Sequence, residues 1–281
     1  MAPKREEQDA ASSSPTAGHT STRSHLLPSV VTLPGLLDSP VVEPDWIVPA
    51  LLPIGVSLLA GPALVDKPLL ANQLGLSVAT GVPFLQHVPA RQGRVLYLAL
   101  AESVIHVRGR ALSLLNKQKY PDNFHLAFTW SPFRQGGLAD LEDTIASLDG
   151  TRLVIVDPLE FVQPLRADTG HNNGYRVRQS SPPEAALSFL LPLRELALRY
   201  DLAMLLLHHL PDDWPANRRD PLAGLSPTGL TTATACNLLL MPGREPTSTL
   251  LQIAGPSVAE RRLRLVLDRL GGYPFWEQAP E

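Results

Sequence analysis

From residue 46 onward, short apolar runs at 56–60, 95–100, 125–129, 153–156, 203–207 and 238–241 alternate with longer amphipathic stretches. The runs are continuous rather than alternating, and Gly, Pro, Asp or a charged residue bounds each one. That pattern predicts strands buried on both faces. Helical spacing fills the gaps between them, at 69–80, 104–116, 138–148 and 184–200. Strand followed by helix, several times over, predicts βαβ units. The expected fold class is therefore α/β, with a mostly parallel central sheet and helices on both faces. Further on, 249–254 and 261–268 alternate apolar with polar positions, which predicts a C-terminal antiparallel hairpin.

Residues 1–29 have neither period. They are rich in Ser, Thr, Ala and Pro and are expected to form a disordered tail, leaving 30–281 as one domain. A second aperiodic stretch, 165–183, interrupts the domain after the fourth predicted strand. A loop of that length inside a compact domain calls for a function or for disorder. It carries Arg166, Arg176 and Arg178, a local basic cluster.

Composition narrows the function classes. The 281 residues are 44% hydrophobic and 18% charged, enough apolar material for a proper core. A formal net charge of -3 excludes a global basic field for gripping nucleic acid and leaves room only for a local patch. One cysteine, Cys236, excludes an internal disulfide framework and a cysteine-based zinc site. It fits a reducing compartment, and the expected location is cytoplasmic. No apolar run reaches the ~18 residues of a membrane span, and no apolar segment follows Lys4 and Arg5 as a secretory signal requires.

Candidate chemistry collects where predicted strands end. The first buried run enters Gly61-Pro62-Ala63-Leu64-Val65-Asp66-Lys67-Pro68, and a helical pattern follows. This is the setting of a phosphate-binding loop of the form G-x-x-x-x-G-K-[ST]. There, backbone N–H groups and the helix N-terminus hold phosphates, the lysine neutralises them and a hydroxyl holds Mg²⁺. Gly61 and Lys67 stand in register. Asp66 replaces the second glycine and Pro68 replaces the hydroxyl residue. Asp66 sets a negative side chain where phosphate would approach. Pro68 removes an oxygen ligand and a backbone donor, and biases Lys67 away from helical geometry. By spacing alone the stretch is equally an ordinary strand–turn–helix. Asp157 closes the fourth run, where a carboxylate suits an outer contact to Mg²⁺ and also a routine turn. His208 and His209 close the fifth. Neighbours on a strand point to opposite faces, which predicts one packed and one exposed histidine rather than a shared metal site.

Taken in order, these segments resemble the RepA-like, hexameric-helicase branch of RecA-fold P-loop ATPases, often described as AAA-type. The resemblance starts at Asp45-Trp46-Ile47-Val48 and Leu52-Pro53-Ile54-Gly55. It runs through the loop above, through Gly81-Val82-Pro83-Phe84-Leu85, and through Gly93-Arg94-Val95-Leu96-Tyr97-Leu98-Ala99-Leu100. It continues with Leu153-Val154-Ile155-Val156-Asp157-Pro158-Leu159 as the Walker B equivalent and with His208-His209. It closes on Gly224-Leu225-Ser226-Pro227-Thr228-Gly229 before a late strand, so it spans about 45–278. The family follows the Gly93–Leu100 strand with Glu-Asp and an arginine-rich helix. This chain has Ala101-Glu102-Ser103, then Arg108 and Arg110. The late-strand aspartate is replaced by Cys236-Asn237, the basic residue after the histidines by Asp212-Asp213, and Gly-Arg-Asp by Gly255-Pro256-Ser257.

The resemblance implies a RecA-like fold with ATP and Mg²⁺ as cofactors. It implies a Walker A-like site at Gly61, Pro62, Asp66, Lys67 and Pro68, and Asp157 as the metal-side carboxylate. Glu102 is the displaced catalytic candidate, and His208 or His209 the phosphate sensor. It places a nucleic-acid loop at Arg166, Arg176 and Arg178. As partners it implies single-stranded DNA and a homo-oligomeric ring or a related ATPase subunit, with no membrane. The joint loss at Asp66, Pro68 and Ala101 leads to a DNA-associated protein with a degraded nucleotide site and weak or absent hydrolysis. An extended chain would also send Glu102 to the side away from Ala101. Two alternatives stand beside it: an active ATPase or helicase with non-standard ligands, and an unrelated α/β enzyme built on the histidine strand end.

Overall fold

The computed structural model describes residues 32–39, 45–115, 119–163, 182–210, 225, 229–245, 248–270 and 273–279. The chain divides into two units, Met1–Val41 and Val42–Glu281. In the first, helix α1 (Leu33–Leu37) is capped by Thr32, whose side chain accepts the Gly35 amide. The predicted tail and residues 165–181 of the arginine-bearing loop lie outside the described residues, while 182–183, read as the end of that loop, open the helix Pro182–Arg199.

The larger unit holds a nine-stranded sheet. In chain order its elements are β3 (Gly55–Gly61), α2 (Lys67–Thr80), β4 (Arg94–Ala99), α3 (Val104–Leu115), β5 (Phe124–Ala127), α4 (Gly137–Ser147), β6 (Thr151–Asp157), α5 (Pro182–Arg199), β7 (Ala203–His209) and β8 (Cys236–Pro242). They end with β9 (Ser248–Gly255), β10 (Val258–Leu270) and β11 (Tyr273–Gln278). A small antiparallel pair precedes them, β1 (Trp46–Val48) with β2 (Leu52–Pro53). The sheet order is β11-β10-β9-β8-β3-β7-β6-β4-β5. From β5 to β8 every pairing is parallel, and from β8 to β11 every pairing is antiparallel. This is the α/β architecture with a C-terminal hairpin that the pattern predicts, with β11 added to its edge.

Two cores flank the sheet, and strand alternation sorts residues between them. Leu153 and Ile155 of β6 join Leu70, Leu74 and Val78 of α2 on one face. Val154 and Val156 join Leu141 and Ile145 of α4 and Leu190, Leu193 and Ala197 of α5 on the other. The helix spacings i, i+3 and i+4 are what such a stripe needs. α2 is buried around most of its circumference because β3, β6 and β11 close over it. It ends at Gly81, whose φ of 76° is the left-handed geometry that favours glycine.

The parallel registers bring several strand ends to one edge. Gly61 pairs with His209 and Ala60 with His208, while Ala99 pairs with Asp157. β7 lies between β3 and β6, so the loop after Gly61 and the carboxylate of Asp157 face each other across one intervening strand. The carboxyl edge of such a sheet is where open α/β folds bind ligands. No helix among the described residues is long and apolar enough to cross a membrane.

Candidate functional site

The loop after β3 is closed by its own hydrogen bonds. Gly61 is the last residue of β3, and a Cβ there would come within 2.5 Å of the Leu240 carbonyl oxygen on β8. The Val65 amide donates to Pro62 O at 3.4 Å, and the Lys67 amide to Val65 O at 2.8 Å. Asp66 is the N-cap of α2, its Oδ1 accepting the Leu69 amide at 2.9 Å. An N-cap carboxylate satisfies one of the donors that the first turn leaves open and meets the positive end of the helix dipole. Sequence reasoning sets Asp66 against an incoming phosphate. In the structure it turns back and occupies the helix end itself.

Lys67 is the first helical residue, although the proline after it disfavours that geometry; the Asp66 cap and the surrounding core outweigh the local bias. Lys67 is 1% exposed. Its ammonium donates to Gly61 O at 2.7 Å and Pro62 O at 2.8 Å. Pro68 follows in the first turn, and its carbonyl accepts from Asn72 Nδ2 at 2.8 Å.

Asp157 is buried at the end of β6. The Tyr97 phenol donates to its Oδ2 at 2.5 Å, and Asn72 Nδ2 reaches the same phenol oxygen at 3.3 Å. Burial pushes Asp157 up to about 6; the Tyr97 bond and the charges of Arg110 and Lys67 pull against it, and Glu102 pushes with it. Burial and the Asp157 charge raise the Tyr97 phenol well above its ordinary value.

Glu102 does not lie on an extended strand as expected. β4 ends at Ala99, and the chain bends so that both Glu102 oxygens take the Arg110 guanidinium, at 2.6 Å each. Bidentate pairing of this kind fixes both side chains. At the end of β7, His208 is half-buried and His209 exposed. Glu160 accepts from both: His208 Nδ1 at 2.5 Å and the His209 backbone amide at 3.2 Å. Burial pushes Glu160 up, but the His208 bond, the backbone hydrogen bonds and the His208 charge together leave it below its ordinary range. His209 is lowered by burial and by the nearby Lys67 charge.

These fields place Lys67, Asp157, Glu102, Arg110 and His209 in one electrostatic neighbourhood. Among the described residues no three His, Cys, Asp or Glu side chains converge on a point that could hold a metal ion. Arg166, Arg176 and Arg178 lie outside the described residues. Sequence reasoning missed Tyr97, Asn72 and Glu160. The first two carry a faint signal, a lone polar-tipped residue inside an otherwise apolar strand or helix.

Comparison with known proteins comes to the same architecture. The pattern of a family described as an AAA domain matches residues 20–213. No curated protein matches the chain. Among solved structures the chain is similar to the ATPase Domain of G40P, with a TM-score of 0.54 over 79% of this chain and 84% of that one, at 13% identity. At that identity the likeness concerns the fold, which is RecA-like.

Proposed function

Because the chain belongs to the AAA domain family, a family of nucleotide-using P-loop ATPases, we propose that it is a RecA-like, DNA-associated member whose nucleotide site is self-filled, so that ATP hydrolysis is weak or absent. The observation that carries this reading is the Asp66 carboxylate on the Leu69 amide, beside a Lys67 ammonium already engaged by Gly61 and Pro62 carbonyls. A phosphate would have to displace both, and Asp66 repels it by ~1 kcal/mol at 4 Å even in bulk water.

The residues present fit Mg²⁺·ATP poorly. Pro68 offers no side-chain oxygen. Asp157 is bonded to Tyr97 and favours its neutral form up to about pH 6. Glu102, the candidate replacement for a catalytic base, is held by Arg110. An active ATPase would need Glu102 freed and another oxygen for the metal. We therefore assign the chain a binding or regulatory role on DNA, with single-stranded DNA and a ring or a related ATPase subunit as its partners. Arg166, Arg176 and Arg178 are the proposed phosphate contacts.

The test is calorimetric titration of the full chain with ATP, with and without Mg²⁺, beside an Asp66→Gly/Pro68→Ser double variant. The variant should gain Mg²⁺-dependent affinity that the parent lacks. Turnover by the parent should fall well below the ~1–100 s⁻¹ of phosphoryl-transfer kinases. Robust Mg²⁺-dependent hydrolysis by the parent, abolished in Lys67→Ala, would overturn the reading in favour of an active ATPase.

A further inference from the structure

The amino edge of the sheet, opposite the Lys67 loop, holds an open cavity of about 430 Å³ between the end of α2 and the first residues of β4 and β5. Ligand pockets commonly measure ~300–1,000 Å³. Arg94 and Lys119 line it, and neither has a carboxylate partner among the described residues. His125 lines it too.

The negative end of α2 does not repel an anion here. Ala79 O accepts from Gln92 Nε2 at 3.2 Å and from Asn123 Nδ2 at 2.9 Å. Asn123 Nδ2 also reaches Gly93 O at 2.9 Å, so the wall is braced as well as screened. Two further features narrow the ligand. Tyr120, 61% exposed, offers a ring at the cavity. Asp122 offers a carboxylate among the cations. Unpaired cations suit a phosphate, an exposed aromatic ring suits a flat base, and a carboxylate suits sugar hydroxyls.

We propose that this cavity is a second binding site, for a nucleoside monophosphate, formed by Arg94, Lys119, Tyr120, Asp122 and His125. It is independent of the nucleotide site at the other edge. Arg94 and Lys119 take the phosphate, Tyr120 stacks on the base, and Asp122 accepts from the ribose hydroxyls.

The experiment is an NMR titration of the isotope-labelled full chain with adenosine 5′-monophosphate, adenosine and inorganic phosphate. The monophosphate should bind saturably, shift the side-chain amides of Gln92 and Asn123 and the His125 ring, and bind more tightly than either fragment. Arg94→Gln with Lys119→Gln should weaken it by about tenfold or more, since charge-assisted bonds to phosphate are lost. Tyr120→Ala removes an exposed ring and spares the core; it should weaken the monophosphate and leave inorganic phosphate unchanged. Absence of saturable binding at millimolar ligand overturns the proposal. So do shifts confined to residues 61–68, or inorganic phosphate binding as well as the monophosphate.

Discussion

The Tyr97 phenol and the Asp157 carboxylate share a 2.5 Å hydrogen bond between adjacent strands, beneath the loop that carries Lys67. The bond stabilises the ionised carboxylate, yet burial outweighs it and holds Asp157 up at about 6. The folded pKa is above the unfolded value of ~3.9. The folded state therefore takes up the proton first, and stability is greatest where Asp157 is protonated in both states. It falls as pH rises from about 4 to about 6, and the cost is complete above that window. Urea denaturation across pH 4–7 should show this slope in the parent and lose it in Asp157→Asn, which should be the more stable of the two at pH 7. Tyr97→Phe removes the bond that lowers Asp157, so the window should move to higher pH.

Glu102 and Arg110 have side chains only 17% and 15% exposed, so each leaves an uncompensated charge when the other is removed. Glu102→Ala and Arg110→Ala should each destabilise the chain. The double variant should lose less than their sum, with a coupling of about 1–2 kcal/mol in a denaturation cycle. Additive losses would show that the pair is not held together in solution.

The Asp66 cap separates two kinds of substitution. Asp66→Ala should cost about 1 kcal/mol of stability, while Asp66→Gly should cost only a few tenths, because glycine tolerates the cap position. Thermal unfolding of the two variants checks the order. The same measurement on the Asp66→Gly/Pro68→Ser double variant establishes that the protein used for nucleotide titration is folded.

Gly61→Ala should destabilise by about 1–3 kcal/mol, an overpacking cost, because the added Cβ meets backbone rather than a flexible side chain. Chemical denaturation measures it. A neutral result would mean that β8 can move away from Gly61.

Much of the parallel sheet was legible along the chain. The six runs predicted as strands match β3 to β8, with ends that differ by a residue or two as fraying makes usual. A strand buried on both faces writes a continuous apolar run whatever its neighbours are. β1, β2 and β11 were not legible. The first two are very short, and β11 carries Pro274 and gains its identity only from pairing with β10.

The nucleotide-site region divides along the same line. By itself the sequence determined that Gly61, Asp157 and His208 stand at strand ends, because apolar runs and the residues that stop them are local facts. It also determined that Asp66 and Pro68 replace a glycine and a hydroxyl. Only the tertiary structure decided what those groups touch. Asp66 caps its own helix, Lys67 bonds to carbonyls of the preceding loop, Tyr97 holds Asp157, and Arg110 holds Glu102. Periodicity reports which face of an element a residue occupies. Contact with a residue on another strand depends on sheet order and register, and no single segment encodes either.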